Sequence, residues 1–154
     1  MWMIALSLIA IQGAPPDSQV TLIATAIQHV TEEVGLSEYS LDLDRAEAGR
    51  AAVAESHLPM DSVARHLGVP TARGRDAIEC AVPQPGSPRQ YKLSHPTALV
   101  RIGRLARADE GFIVTVYVVS QWRNERLHTQ MMELLLRRTP SGWEVAREVA
   151  RGAS

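Results

Sequence analysis

The last third of the chain constrains the fold most. From residue 97 to residue 149, four runs of strand-forming residues follow one another with only short polar breaks between them. The run Phe112-Ile113-Val114-Thr115-Val116-Tyr117-Val118-Val119 is almost wholly β-branched or aromatic. Such side chains lose rotamer freedom in a helix and pack well on a pleated surface. Before it, residues 98–106 carry Leu99, Val100, Ile102 and Leu105; after it come residues 127–137, with Met131, Met132, Leu134, Leu135 and Leu136, and then residues 143–149. The breaks Ala108-Asp109-Glu110-Gly111, Arg123-Asn124-Glu125 and Thr139-Pro140-Ser141-Gly142 are built from turn-forming residues. The Leu- and Met-rich third run would suit a helix in isolation, but flanks of hairpin length make it a strand. The pattern predicts a four-stranded antiparallel meander.

A register follows if Trp122 opposes Arg126 across the middle turn. Val118, Val116, Val114 and Phe112 then oppose Gln130, Met132, Leu134 and Leu136, a nearly all-apolar face that should meet the core. The other face pairs Val119, Tyr117, Thr115 and Ile113 with Thr129, Met131, Glu133 and Leu135. It is mixed and is expected to be covered only in part. A slip of one residue would exchange the two faces.

The meander needs a partner for its apolar face, and residues 17–34 supply one. Val20, Ile23, Ile27, Val30 and Val34 recur at helical spacing. Asp17 or Ser18 is placed to cap the first turn, and Gly35 to end the helix in the left-handed conformation. One apolar helix face over one sheet face is an α+β arrangement. Residues 38–44 alternate briefly as a short strand, residues 46–55 are Ala-rich, and residues 61–67 form a second short helix that stops at Gly68 before Val69-Pro70. Residues 70–96, with five prolines, read as a long loop containing only hints of structure near residues 76–82. Residues 15–154 therefore make a single α+β domain.

The chain of 154 residues is long enough for a real core, being 45% hydrophobic. Its formal net charge of −1 gives no global pull toward nucleic acid or an acidic membrane. Residues 1–14 begin with an apolar run, Met1 to Ile11, and reach small residues at Gly13 and Ala14. This pattern predicts a secretory signal peptide cut near Gly13 or Ala14, and so a secreted or periplasmic protein. The run is too short to be a stable membrane span. Cys80 is the only cysteine, so no intramolecular disulfide forms; its simplest role is that of a small apolar side chain.

The sequence holds no Gly-rich phosphate loop, no paired cysteines and no serine nucleophile elbow. His29, His57, His66, His95 and His128 never stand at i, i+3 or i+4 to one another. No catalytic residue, metal ligand or cofactor is assigned. Asp42 and Asp44 share a strand face but read most simply as a solvated edge. Residues 62–69 resemble the middle of a DNA-binding helix-turn-helix, yet Pro70 comes where a recognition helix should begin. Nucleic acid is not expected as a partner.

A helix first, a sheet last and the closing hairpin Arg137-Arg138-Thr139-Pro140-Ser141-Gly142-Trp143-Glu144-Val145 resemble the cone-shaped α+β domains of the nuclear transport factor 2-like (SnoaL-like) superfamily. There, a curved sheet wraps a helix and a Gly-Trp-x-Val strand often ends the chain. The resemblance covers residues 97–149 and the first helix. It implies a cone-like fold with a pocket between sheet and helices.

Two functions fit these readings. The first is a non-catalytic binding or interaction module, with a homodimer through the mixed sheet face. The second is a small-molecule-binding or enzymatic domain, its pocket lined by Tyr117, Glu133, Arg104 and Glu148. Glu133 buried beside Tyr117 would act as a base. The competing reading is a cross-strand polar ladder in which Arg104 opposes Thr115 and Glu133 opposes Glu148. A buried, unpaired Glu133 favours the pocket; an exposed one pairing with arginine favours the ladder.

Overall fold

The computed structural model describes residues 16–43, 58–81, 85–86, 90–94, 98–121 and 126–154. The elements run α1 (Pro16–Glu33), β1 (Tyr39–Asp42), α2 (Met60–Leu67), β2 (Thr71–Ala72), α3 (Gly74–Ala77, a single turn), β3 (Ile78–Ala81), β4 (Gln90–Leu93), β5 (Ala98–Ala108), β6 (Gly111–Gln121), β7 (Leu127–Thr139) and β8 (Gly142–Ala153). A six-stranded sheet has the order β2-β1-β5-β6-β7-β8, and β3 and β4 form a separate antiparallel pair. The fold is α+β with a mostly antiparallel sheet.

The meander is β5 to β8. Phe112 pairs with Leu136, Val114 with Leu134, Val116 with Met132 and Val118 with Gln130, the register expected from the alternation. The Leu- and Met-rich run is β7, the longest strand. Two short strands extend the sheet beyond the expected four. β1 runs parallel to β5, and β2 parallel to β1. Local pattern carries no sign of this pairing, because both strands are short and reach the sheet through crossovers.

The core lies between the sheet and α1 and α2. Ile23, Ile27 and Val30 are buried as the helical stripe requires, with Val20 and Val34 packed at its rim. Leu22, Ala24 and Ala26 are buried too, because α2 covers a second side of α1. From the sheet come Val100, Ile102, Val114, Val116, Met132, Leu134 and Leu136. Both helices end on the expected glycines. The Gly35 N–H donates to Glu32 O at 3.1 Å and the Leu36 N–H to Thr31 O at 2.8 Å; Gly68 and Val69 repeat this pattern on Arg65 and Ala64. Gly35 and Gly68 have φ of 71° and 69°, the left-handed geometry such a stop requires.

The start of α1 differs from expectation. It begins at Pro16, so Ser18 lies inside the helix, and its buried Oγ has no hydrogen-bond partner among the described residues. Proline suits a first turn because its missing N–H has no acceptor there anyway. The Ser18 carbonyl instead accepts from Trp143 Nε1 at 3.0 Å, which ties the closing hairpin to the head of the helix. Trp143 also meets Phe112 edge-on at 5.7 Å between ring centroids.

The Pro-rich stretch is not one long loop. β2, α3, β3 and β4 all fall within it. β2 joins the six-stranded sheet, and β3 and β4 form a small layer on the sheet face opposite the helices. β4 touches β6 and β7, and the Leu93 N–H donates to Gln121 Oε1 at 2.9 Å. The Ala-rich residues 46–55, the break at residues 123–125 and the leader at residues 1–14 lie outside the described residues.

Candidate functional site

The mixed face of the meander is the outer face of the sheet. On it, Arg104 of β5 pairs with Thr115 of β6, and Thr115 with Glu133 of β7. Arg104 reaches this face because β5 carries one extra residue, Gly103, between Ile102 and Arg104. Such a bulge reverses the side on which following residues emerge. Gly103 also makes room for Tyr117: a Cβ at position 103 would overlap the ring at Cε2. Tyr117 therefore lies across the bulge, next to the row of Arg104, Thr115 and Glu133.

Thr115 is buried and its Oγ1 donates to Glu133 Oε2 at 3.3 Å. Glu133 and Tyr117 are half-buried, whereas Arg104 is exposed and makes no hydrogen bond or ion pair among the described residues. Glu133 thus sits between the two arrangements weighed for it, half-buried and held by a neutral hydroxyl rather than by an arginine. A carboxylate with one weak donor keeps acceptor capacity for a further partner, and a guanidinium supplies five donors.

Glu148 does not join this group. β8 has extra residues at Ala146 and Val149, so Glu133 faces Ala150, and Glu148 faces Leu134 on the helix side. The expected pairing of Glu133 with Glu148 is therefore not formed. Arg151 donates to both Glu148 oxygens, at 2.9 and 2.6 Å, and to Glu33 Oε1 at 3.1 Å, joining β8 to the end of α1. The hydrogen bonds from Arg151 hold the Glu148 carboxyl below its ordinary range against a smaller opposing effect of burial, and the same partners raise Arg151. Two bulges in a single strand are the reason the sequence pattern misses this: alternation counts residues, and each insertion moves the count by one.

A polar centre that the sequence pattern does not reveal lies nearby on the same face. The short alternation around Asp42 suggests a solvated edge, but β1 is flanked by β2 and β5, and the Asp42 side chain is wholly buried. Its Oδ2 accepts from Arg101 Nε at 2.6 Å, and a second contact from Arg101 Nη2 completes the ion pair. Its Oδ1 accepts from the Gly74 N–H at 2.8 Å, at the start of α3. A Cβ on Gly74 would overlap both Asp42 and Arg101. Every group in the cluster serves another, so it anchors the β2–α3 segment rather than presenting a site. An arginine within the apolar run of β5 is the one available signal. Asp44 lies outside the described residues.

A groove of about 450 Å³ lies elsewhere, along α2 and the turn after it, and is lined by Asp61, Ala64, Arg65, Val69 and Thr71. None of the four expected ligand-binding residues borders it. After α2 the chain enters β2, so a strand stands where the helix-turn-helix pattern would place its second helix. His128 is exposed on β7. Among the described residues no three His, Cys, Asp or Glu side chains are grouped to hold a metal ion, and no helix is long and apolar enough to cross a membrane. No family model, no curated protein and no solved structure matches this chain.

Proposed function

We propose that the protein is an exported, non-catalytic binding or interaction module that makes its contacts through the outer face of the sheet. The observation carrying this reading is that, among the described residues of the outer face, Arg104 is exposed and Tyr117 and Glu133 are only half-buried. The edges are poor docking places among the described residues: β2 is two residues long, and β8 is exposed, charged and twice bulged. Short and bulged edges resist addition of a further strand. The inner face is filled by α1 and α2. The β3–β4 layer lies over the Gln121 end of the outer face, leaving Arg104, Tyr117 and Glu133 at the other end.

Within this reading the contact surface serves a homodimer, residues 1–14 act as a leader removed on secretion to the periplasm or beyond, and the fold is of the nuclear transport factor 2-like kind. The helix-first, meander-last order and the Trp143 contact to α1 support that likeness. A small-molecule ligand is the second reading. It is favoured by Glu133, half-buried beside Tyr117 with a single neutral donor.

Native mass spectrometry of the full chain expressed in a bacterial host tests both readings. The expected result is a mass lacking the first 13 or 14 residues, in a dimer that Tyr117→Asp dissociates. A dimer indifferent to Tyr117→Asp defeats the contact surface. A retained small molecule that Tyr117→Asp releases moves the assignment to the second reading. A chain that keeps its first residues in the cytoplasm defeats export.

A further inference from the structure

Resting on the outer face as contact surface, we infer that α3, β3 and β4 form a lid that opens as one unit, uncovering Leu99 and Val119 and lengthening that surface. The lid closes on itself. β3 pairs with β4, the Ser94 N–H donates to Ala77 O at 2.8 Å and the Ser94 hydroxyl donates to Asp76 O at 3.0 Å, so the two ends of the unit meet at one neck. Four-residue strands in a separate two-stranded sheet have little stability of their own. Apart from Gly74, none of the lid's described residues is buried, and none belongs to the main core. Tyr91 is 49% exposed, and the Glu79–Lys92 pair is open to water, where such pairs add little.

The face beneath is the reverse. Leu99 and Val119 pair across β5 and β6 on the outer face, are 2% and 5% exposed, and lie outside the main core. The lid is tied to the sheet on either side of this row. On one side the Gly74 N–H donates to Asp42, which holds Arg101, and Arg101 is paired with Tyr117. On the other side the Leu93 N–H donates to Gln121 Oε1 at 2.9 Å, and Gln121 follows Val119 on the same face at the end of β6. The two ties differ in strength. The first is a buried, charged cluster and serves as the pivot; the second is a half-buried hydrogen bond between neutral groups and serves as the latch. Releasing the latch exposes Leu99 and Val119 and leaves the pivot and the main core intact. Elements with few buried apolar contacts open at a fraction of the cost of global unfolding.

Native-state thiol labelling of the full chain tests the lid, with mass spectrometry resolving each introduced thiol from Cys80. Val119→Cys places a thiol under the lid, and Val116→Cys places one in the main core on the same strand. The thiol at position 119 should react about a hundredfold faster than the one at 116, because it needs only the lid to open. Gln121→Ala removes the latch: labelling at 119 should rise by about fivefold or more, and at 116 by less than about twofold. The Leu93 and Ser94 amides should exchange hydrogen through the same opening. If Val119→Cys fails to fold, as judged by circular dichroism, Leu99→Cys replaces it. Equal labelling at 119 and 116 overturns the lid, since the face then opens only with the whole fold. Faster labelling at 119 that ignores Gln121→Ala also overturns it, since the exposure then does not pass through the latch. Tyr117→Asp in native mass spectrometry reports on the contact surface and the labelling ratio on the lid, so either falls without the other.

Discussion

Replacing Asp42 by alanine should be among the most damaging single changes to this fold. The carboxylate is wholly buried, and among the described residues it accepts from Arg101 Nε, Arg101 Nη2 and the Gly74 N–H. Removing one partner of a buried ion pair costs about 3–5 kcal/mol, because the other charge stays behind without its counterion. The Arg101 side chain is 23% exposed, so water reaches part of it and the charge contribution falls near the lower figure. The Gly74 N–H loses its acceptor as well, at about 1–3 kcal/mol if no water replaces it. A loss of about 4 kcal/mol is expected, a large part of the roughly 5–15 kcal/mol by which domains are typically stable. With a urea m-value of about 2 kcal/mol/M, the midpoint should fall by about 2 M. Asp42→Asn keeps an acceptor for Gly74 and should cost less. Arg101→Met should cost about as much as Asp42→Ala, and the double variant clearly less than the sum, with a coupling of about 2 kcal/mol or more. Hydrogen exchange at the Gly74 amide should accelerate in Asp42→Ala. A midpoint within about 0.5 M of wild type, or additive single and double variants, would refute the account of this cluster as a structural anchor.

Three further outcomes follow from specific contacts. Trp143→Phe should preserve the edge contact to Phe112 but leave the Ser18 carbonyl without its indole donor, lowering stability by about 1 kcal/mol in urea unfolding. Gly103→Ala should cost about 1–3 kcal/mol by overlap with the Tyr117 ring, and much less in a Tyr117→Ala background, as thermal unfolding of the four proteins would reveal. Burial raises the Tyr39 phenol above its ordinary value of 10.0, against a smaller opposing effect of its hydrogen bond with Thr31. The unfolded chain therefore ionises first: the stability is complete below about pH 10 and is lost as pH rises through the folded value. Urea midpoints measured from about pH 9 to 11 should decline more steeply for wild type than for Tyr39→Phe, and parallel curves would contradict this.

The candidate site is half legible in the sequence, for a reason visible in its members. Tyr117 and Glu133 sit on strands whose ladder runs without interruption, so strict alternation places both on the mixed face. Alternation also gives Arg104 its correct partner although the bulge at Gly103 intervenes, because the pairing with Thr115 is fixed from the turn side of that bulge. Glu148 lies beyond an insertion in β8, and the same counting carries it to the wrong face. Asp42 reads as a surface residue because a two-residue parallel neighbour, β2, has no periodic pattern by which to announce itself.

The sequence by itself determined the elements whose signals are local: the amphipathic stripe of α1, the glycine stops at Gly35 and Gly68, the turns at residues 109–110 and 140–141, and the register of β6 on β7. These depend on side-chain type and spacing over a few residues, where propensity and period act directly. Only the tertiary structure decided the parallel addition of β1 and β2, the folding of β3 and β4 over the outer face, the burial of Asp42 and the side of the sheet on which Glu148 emerges. Each of these rests on contacts between residues distant in the chain. Asp42 meets Arg101 across 59 positions, and the Trp143 indole meets Ser18 across 125. Which groups meet is set by packing and chain closure, and no local window of sequence contains that information.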